Sequence, residues 1–574
     1  MQYLLCGCFL EKFSYNALEG NKEEMLEMRK HYEKMIQDTE KRVRHGLRVQ
    51  VKDGGENHGG FQDAKGIVQP KYAIYTVTSA ISVYCNKDSC FYRDPVVYKM
   101  IREGLEYVIG SQHDNGLFDF IVCNFLSTPD TAFCIKRILP TLSYLEQNRA
   151  TSEEDQIYKA LLEIVKKGAK GLAEGGFHTP NHRWAIASML MECGRRFEEE
   201  SLVKRAKEYL LEGIDCNDDG EFAEKSAGNY NRVNNDAMIS LGHTTGDETY
   251  FGYAVRNLKM MLTYIEPDGS VFTGNSTRWD NGLKIYPKDY YFEYLEMGIL
   301  LDIPEFLDMA NYIFQLVDEK GIKSPDQLIH YMNHPQWIDL EHEGVWQVPS
   351  FCRFYKESGI ARIGKPDYIY TIMKEKTSFF HLSTKSMQLQ LKLGGAYFER
   401  RAFEAKSMEQ ETDGVFHLEE TMNGWYYLPF KEKQPTSDWW KMENHKRDKV
   451  LGPDLNLQAD IKEIEDGVEV HIKVSGVKNA PFRVEVAVNG AQLIRGQQFE
   501  LNAEPGRAMI LKEGYAVFSN SEESLSIGPG FGTHSYTAGN FGSEGASAFA
   551  FTLYFTDYTE FEHTFQIHVG SESV

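Results

Sequence analysis

The sequence predicts a multidomain protein in which an N-terminal (α/α) toroid is followed by a C-terminal antiparallel β-sandwich. From about residue 23 to residue 317, apolar residues recur at intervals of three and four, which is typical of amphipathic helices. Beyond about residue 350, apolar and polar residues alternate, which is typical of half-buried strands. A chain of 574 residues is too long for one core, so we expect a toroid domain over residues 1–340 and a sandwich domain over residues 341–574.

Six helical segments are clearest in the first part of the chain. They are EEMLEMRKHYEKMIQDTEKRV, DPVVYKMIREGLEYVIGSQ, EEDQIYKALLEIVKKGAKGL, SLVKRAKEYLLEGI, ETYFGYAVRNLKMMLTYI and IPEFLDMANYIFQLVDE. The breaks between helices repeat a polar turn with glycine, as in HDNGLFD at His113, NDDGEFAE at Asn217 and EPDGSVFTG at Glu266. A recurring unit of helix, turn and helix is what a toroid of paired helices shows, with turns and helix starts lining a cleft.

The second part of the chain reads as strands separated by Gly, Asn and Asp turns. The clearest segments are YIYTIMKEK, FFHLSTK, MQLQLKL, VFHLEETM, VEVHIKVSG, RVEVAVNG, YAVFSNS and FAFTLYF. This number of alternating segments favours a large antiparallel sandwich. The stretch IKSPDQLIHYMNHPQWIDLEHEG is expected to connect the two domains.

Composition and charge exclude several classes of protein. The formal net charge of −22 disfavours nucleic acid or an anionic membrane surface as a partner. No run approaches the roughly 20 apolar residues of a membrane helix. The amino terminus MQYLLCGCFLEKFSYN has neither a basic n-region nor a long apolar run, so we expect a soluble, cytoplasmic protein. The sequence does not predict an oligomeric state.

The cysteines do not suggest a disulfide framework. There are nine, an odd number, and all lie at or before Cys352. Their irregular spacing favours buried, reduced thiols. Cys85 and Cys90 could form a metal or redox pair, but nothing near them completes a set of four ligands.

The stretch FHTPNHRWAIAS contains the first candidate site. Thr179 is a good N-cap and Pro180 suits the first helical position, so Asn181 and His182 fall in the first turn of a helix. A metal site would use His178 with His182, yet Pro180 lies between them. Three interpretations stay open at this point, namely a metal site, a polar helix cap and a functional Asn-His pair.

A second helix start, in DDGEFAEKSAGNYNRVNNDAMISL, supplies a partner for that pair. A glycine turn leads through polar residues to Tyr230, Asn231 and Arg232, and an apolar-periodic helix follows. A tyrosine at a helix start is usually only a packing residue. Together with Asn181 and His182, however, Tyr230 completes a set with a coherent chemical use.

That use is the β-elimination of a uronate. The reaction removes a weakly acidic proton alpha to a carboxylate and expels the oxygen at C4. Asn181 suits neutralisation of the carboxylate, since an amide stabilises an enolate-like intermediate. His182 suits the base, since a histidine has a reference pKa of about 6.5. Tyr230 can donate a proton to the leaving oxygen, and this scheme requires no metal or cofactor.

Four stretches resemble a known family. NHRWAIASMLM, followed about fifty residues later by DGEFAEKSAGNYNR, resembles the heparinase II/III-like polysaccharide lyases and, more distantly, the chondroitin AC and hyaluronate lyases. YKESGIARIGKPDYIYTIMKEKTSFFHL resembles the start of their β-sandwich, and ETMNGWYYLPF resembles a segment of the hyaluronate lyases. NFLSTPDTAF is similar to a segment of lyases that cut rhamnose-glucuronate linkages.

The resemblance spans roughly residues 50–560 and implies a toroid followed by a sandwich, with catalysis in the cleft between them. It also implies that Asn181 neutralises the carboxylate, that His182 is the base, and that Tyr230 is the acid, or acid and base together. The interval from Ser226 to Tyr230 is one residue longer than in the usual heparinase-like pattern.

A metal is not carried over from the family. Many relatives carry a structural zinc in the β domain, held by histidine and aspartate. Here His381 and His417 fall on strands that do not face one another in the predicted pattern. No divalent metal is therefore assigned.

Other polar stretches are expected to line the cleft and bind an acidic oligosaccharide or polysaccharide. The predicted substrate-binding residues are His58, Gln62, Asp63, Asn124, Asp130, Arg232, Arg278 and Trp279. Arg278 beside Trp279 suits a carboxylated sugar, because the indole can stack on a sugar face while the guanidinium binds the acid. Each of these residues could equally be a turn residue that bonds the backbone.

The prediction is thus a lyase for uronic-acid-containing glycans, with two alternatives. A glycoside hydrolase on the same toroid would use a pair of carboxylates chosen from Asp63, Asp130, Asp218 and Asp236. A non-catalytic glycan-binding protein would explain the aromatic content and the sandwich, but not the polar helix starts.

Overall fold

The structure is a computed structural model that describes residues 28–176, 178–397, 400–412, 414–537 and 546–570. The amino-terminal segment considered above lies outside these residues. The described helices are α1 (Met28–Val49), α2 (Pro70–Cys85), α3 (Pro95–Ser111), α4 (Thr128–Asn148), α5 (Ser152–Glu174), α6 (Pro180–Arg196), α7 (Glu200–Leu210), α8 (Tyr230–Thr245), α9 (Thr249–Leu262), α10 (Tyr291–Leu300), α11 (Pro304–Glu319) and α12 (Ile329–Asn333).

The described strands fall into a hairpin and two large sheets. They are β1 (Phe118–Phe120), β2 (Asn124–Ser127), β3 (Phe351–Tyr355), β4 (Ile360–Gly364), β5 (Ile369–Met373), β6 (Phe380–Ser383), β7 (Gln388–Tyr397), β8 (Arg400–Ala402), β9 (Ser407–Gln410), β10 (Phe416–Tyr427), β11 (Lys449–Ile464), β12 (Gly467–Ser475), β13 (Pro481–Asn489), β14 (Leu493–Gly496), β15 (Phe499–Asn502), β16 (Ala508–Ile510), β17 (Ala516–Ser519), β18 (Ser524–Gly528), β19 (Phe551–Tyr558) and β20 (Phe561–Val569). The predicted fold class is confirmed. The predicted domain boundary falls between α12 and β3.

The helices form a double-layered ring. The inner layer consists of α2, α4, α6, α8 and α10, and each packs against the helix that follows it, which belongs to the outer layer. Helix α1 closes the ring, because His31 stacks on Phe314 of α11 and its Nδ1 lies 2.9 Å from the hydroxyl of Tyr291 in α10. The inner helices therefore present their first turns at one end of the ring.

The repeated glycine turns are structural units of the ring. Gly116 and Gly220 have φ angles of +87° and +98°, which glycine adopts without steric cost. Each glycine lies against the backbone of an outer helix, and its carbonyl accepts a hydrogen bond from a buried amide, Gln112 or Asn257. The turns therefore fix the spacing between neighbouring helix pairs.

Gly116→Ala is expected to lower the free energy of unfolding by about 2–4 kcal/mol, combining left-handed strain with overpacking. A Cβ at this position would lie 2.0 Å from the carbonyl oxygen of Lys167. Gly66→Ala is the matched control, since Gly66 also has a positive φ but nothing lies within 4 Å; we expect a loss of about 1 kcal/mol. Urea unfolding followed by circular dichroism measures both, and equal losses would contradict the steric argument.

The predicted connecting segment does more than join the domains. Its Asp326 lies between Arg42 of α1 and Arg137 of α4, with N···O distances of 2.8 and 3.1 Å. Further along, the hydroxyl of Tyr331 lies 2.5 Å from that of Tyr291, and Asn333 donates to the carbonyl oxygen of Pro140. Residues 324–333 thus touch α1, α4 and α10. We call this segment the plug.

The sandwich contains two sheets that enclose their own hydrophobic core. One sheet has the strand order β15-β14-β17-β18-β20-β12-β11-β10-β9, and the other has the order β16-β19-β13-β7-β6-β5-β4-β3, with β8 beside β7. Most neighbouring pairs are antiparallel; β16 and β19 are parallel. In the part of the chain that the structure describes, no helix is long and apolar enough to cross a membrane.

Buried polar contacts join the sandwich to the ring. The turn between β3 and β4 places Ser358 against the ring, where its N–H donates to Asp219 and its carbonyl accepts from Lys225, each at 2.9 Å. The fully buried Arg362 of β4 pairs with Glu266 at 2.7 Å. The loops that follow α7 and α9 are therefore held between the two domains, and these loops also carry candidate site residues.

Candidate active site

The candidate site lies at the first turns of two neighbouring inner helices. Asn181 and His182 follow Pro180 in the first turn of α6, and Tyr230 is the first residue of α8. These two helices pack side by side along the ring. Sequence reasoning placed all three residues at helix starts, and the structure brings those starts together.

A buried carboxylate organises the centre of this group. Glu224 accepts a hydrogen bond from the backbone N–H of Asn181 at 3.1 Å and another from its Nδ2 at 2.7 Å. Asn181 is fully buried, and its Nδ2 also lies 3.3 Å from the hydroxyl of Thr179. The N-cap residue Thr179 therefore bonds a side chain instead of the helix backbone. The side-chain NH2 group of Asn181 is thus already hydrogen-bonded within the protein.

Arg278 connects this carboxylate to the tyrosine. Its Nε lies 3.3 Å from Oε1 of Glu224, and its guanidinium carbon lies 5.0 Å from the centre of the Tyr230 ring. The side chain of Arg278 remains about one third exposed. A cation over an aromatic face is attracted to it, so this contact also orients the tyrosine. Arg278 is thus a partly accessible cation beside the tyrosine.

The backbone before Tyr230 is held by a second buried carboxylate. Asp280, which is fully buried, accepts hydrogen bonds from the hydroxyls of Ser226 and Ser276 and from the N–H of Gly228. Ser226 in turn accepts the N–H of Tyr230 at 3.0 Å. The longer interval between Ser226 and Tyr230 therefore still yields a capped helix start.

His182 is neutral at neutral pH. Burial lowers its pKa to about 4, and the negative charge of Asp130 opposes this shift. Its ring packs edge-on against the ring of Phe133, with 5.9 Å between the two ring centres. Asp130 accepts hydrogen bonds from Lys71 at 2.8 Å and from Ser127 at 2.5 Å. A neutral imidazole can accept a proton, as a general base must, but a pKa of about 4 makes it a weaker base than the value of about 6.5 on which the sequence prediction rested.

Two members of the group were not predicted from the sequence. Lys71 pairs with Asp130 and lies 4.7 Å from the centre of the Phe120 ring in the β1–β2 hairpin. Glu224 belongs to a motif that the sequence singled out, but it received no role. The signal for Lys71 was available, because a proline precedes a polar residue at the starts of α2, α4 and α6 alike.

Four other predicted binding residues differ in how exposed they are. Asn124 is exposed in the β1–β2 hairpin, and Trp279, beside Arg278, is 60% exposed. Arg232 is the third residue of α8, with its guanidinium 3.6 Å from Asp236, which lies one turn further along the helix. Gln62 is exposed in the loop before α2.

Two predicted residues make local bonds of the kind that turn residues make. His58 accepts the N–H of Gly54 through Nδ1 at 3.2 Å. Asp63 accepts the N–H groups of Lys65 and Ile67. Their binding role stays a prediction.

Within the described ranges, no cluster of three or more His, Cys, Asp or Glu side chains has the arrangement of a metal site. His381 and His417 lie in different sheets, on β6 and β10. The seven cysteines in the described part of the chain are free thiols, four of them buried.

Several buried histidines make stability depend on pH. Burial lowers the pKa of His381 to about 4, against about 6.5 for an unfolded histidine. Between these values the unfolded state binds more protons, so stability is present above pH 6.5 and is lost as the pH falls towards 4. We expect His381→Gln to reduce the slope of unfolding free energy against pH by up to about 1.4 kcal/mol per pH unit.

Urea unfolding at several pH values between 4.5 and 6.5 measures this slope. His445→Gln is the control, because His445 is an exposed histidine of the same domain. An identical slope in His381→Gln and the unmodified protein would show that His381 does not contribute.

Solved structures share this architecture. A Paenibacillus xanthan lyase matches over 95% of this chain and 57% of its own, with 10% identity and a TM-score of 0.59. Heparinase III matches over 92% of this chain and 79% of its own, with 11% identity and a TM-score of 0.52. A Streptomyces coelicolor chondroitin AC lyase matches over 95% of this chain and 82% of its own, with 10% identity and a TM-score of 0.52.

This chain has the fold of these polysaccharide lyases. No family model matches it, and no curated protein is detectably similar in sequence. It spans less than two thirds of the length of the xanthan lyase. At about 10% identity, the likeness to the polysaccharide lyases concerns the fold, and the residues described above carry any argument about chemistry.

Proposed function

We propose that this protein cleaves uronic-acid-containing glycans by β-elimination and leaves an unsaturated uronate at the new chain end. The observation that carries this proposal is the meeting of His182, Tyr230 and Arg278 at the starts of α6 and α8. A neutral imidazole, a phenol and an accessible guanidinium are the three groups that the elimination requires. The lyase fold supports the same reading.

Each residue has one task in the reaction. Arg278 pairs with the uronate carboxylate and stabilises the negative charge that develops on it. His182 removes the proton at C5, the electrons of that C–H bond form the new double bond, and the C4–O bond breaks. Tyr230 gives its proton to the departing oxygen. His182 then releases its extra proton to solvent, and Tyr230 takes one up, which restores both residues.

The structure changes the task proposed for Asn181. The sequence suggested that its amide neutralises the carboxylate, but this amide donates to Glu224 and is fully buried. We therefore assign the carboxylate to Arg278. Asn181 then positions His182, its neighbour in the chain, through the bond to Glu224.

The proposal is tested by a screen of acidic glycans. Rhamnose-glucuronate, alginate, heparinoid and chondroitin oligosaccharides, together with xanthan, are incubated with the protein while ultraviolet absorbance is followed. A lyase produces an absorbing, unsaturated product. New reducing ends without absorbance would identify a hydrolase, and binding without any product would identify a glycan-binding protein.

Three of the four carboxylates of the hydrolase alternative are already bonded within the protein. Asp130 is bonded to Lys71, and Asp236 to Lys136. Asp63 accepts backbone N–H groups within its own turn. Asp218 is exposed in the loop after α7 and would need one of these bonded groups as its partner, which favours the lyase.

A further inference from the structure

One segment of the sandwich has no core of its own. Residues 425–451 join the end of β10 to the start of β11 as a long hairpin, and none of these 27 residues is buried. We call this segment the arm. A two-stranded hairpin that packs on nothing is only marginally stable in water. A binding partner that covers the arm would therefore stabilise it.

The arm exposes large aromatic side chains. Trp440 is 88% exposed, Tyr426 is 67% exposed and Trp439 is 55% exposed. The two tryptophans lie on a short 3-10 turn, where the N–H of Trp440 donates to the side chain of Asp438. Several large exposed apolar side chains on one segment are typical of a binding surface.

Cations lie over the other rings of the arm. The amine of Lys449 lies 4.2 Å from the centre of the Trp425 ring and 5.2 Å from that of Tyr427. The guanidinium of Arg447 lies 5.0 Å from the centre of the Tyr427 ring. The arm thus alternates flat apolar faces with positive charges.

Its charge is opposite to that of the whole chain. The arm contains six Lys and Arg residues and four Asp and Glu residues, a formal charge of +2, while the chain carries −22. A partner with flat apolar faces and negative charge fits this surface.

The base of the arm lies at one end of the sandwich. There, Asn456 of β11 pairs with Ser475, the last residue of β12. The chain then turns into β13, which begins at Pro481, so β13 starts at the same end as the arm.

This end of the sandwich faces the ring. β13 pairs with β7 near Gly395, and β7 pairs at Leu391 with Phe380, the residue that follows the β5–β6 turn. That turn touches the ring, because Lys376 donates to the carbonyl oxygen of Ser276. The arm therefore projects from the end that also borders the candidate cleft.

We propose that the arm is an outlying binding site for the acidic glycan chain that enters the cleft. Its tryptophans stack on sugar faces, and Lys449 and Arg447 attract uronate carboxylates. This inference rests on the proposed function, because it assigns the arm to the same substrate at a distance from the bond that is cut.

The test compares a polymer with a tetrasaccharide cut from it, using the glycan that the screen shows to be cleaved fastest. Trp439→Ala/Trp440→Ala is expected to raise KM for the polymer about tenfold and to change KM for the tetrasaccharide less than twofold. Phe549→Ala is the matched control, since Phe549 is an exposed aromatic of the same sandwich, 82% exposed, outside the arm. Its KM values should not change.

Two outcomes would overturn the inference. One is an equal KM for the polymer in the double variant and the unmodified protein. The other is a dimer in sedimentation velocity that the double variant dissociates, which would make the arm an interface between two copies. Since these tryptophans are not buried, the melting temperature of the double variant should be unchanged.

Affinity electrophoresis separates this inference from the proposed function. The unmodified protein and the double variant are run through gels containing each polymer of the screen. If no glycan is cleaved but the double variant alone loses retardation, the lyase proposal fails and the arm remains a glycan site. If cleavage occurs and retardation is equal, the arm proposal fails alone.

Discussion

His182→Ala is expected to lower kcat/KM for elimination about a thousandfold, within the usual contribution of a general base. The variant removes the imidazole that takes the C5 proton and leaves Arg278 and Tyr230 in place. KM should change little, because His182 acts on the reacting atom and not on the carboxylate. Absorbance of the unsaturated product measures the rate.

His178→Ala is the matched control for this variant. His178 lies before α6, where its Nε2 accepts the N–H of Gly176 at 3.1 Å. The centre of its ring lies 6.0 Å from the centre of the Tyr209 ring in the outer layer. Activity should remain within about threefold. If His178→Ala abolished turnover while His182→Ala retained it, the base would be misassigned.

Tyr230→Phe is expected to lower kcat about a hundredfold or more, because the departing oxygen then lacks its proton donor. The ring stays in place beneath Arg278, so the cation is not displaced and KM should be nearly unchanged. The two variants together should cost less than the product of their separate losses, since both residues serve one step.

Tyr286→Phe provides the control. Tyr286 lies in the loop before α10 and is only partly buried, so it resembles Tyr230 in exposure without belonging to the site. Its loss of a hydroxyl should change kcat less than twofold. A large rise in KM with an unchanged kcat for Tyr230→Phe would assign Tyr230 to binding instead of proton transfer.

The helices that the sequence predicted most clearly are those of the outer layer. The six quoted segments correspond to α1, α3, α5, α7, α9 and α11, which show an apolar face and a solvent face. The inner helices α2, α4 and α10 were missed. They are covered on nearly all sides, so their sequences lack the amphipathic period on which the prediction depends.

The helix-start residues of the candidate site could be predicted, because polar residues in first turns have a local signature. Asn181, His182 and Tyr230 each stand at a helix start in the sequence and in the structure. The bonds of Glu224 could not be predicted, since they join residues 43 positions apart. Long-range pairing of this kind depends on how the helices close into a ring.

The plug was predicted only as a connection. Its helix α12 has five residues, too few for a periodic pattern, and its polar residues resemble those of a linker. The contact of Asp326 with Arg42 and Arg137 becomes visible only in three dimensions.

The plug also ties together parts of the ring that are far apart in the sequence. Asp326 bridges Arg42 of α1 and Arg137 of α4, and the hydroxyl of Tyr331 lies beside that of Tyr291 in α10. The pair of Asp326 with Arg42 alone joins residues 284 positions apart. Loss of the Asp326 carboxylate would therefore remove one partner from two arginines at once and weaken the closure of the ring.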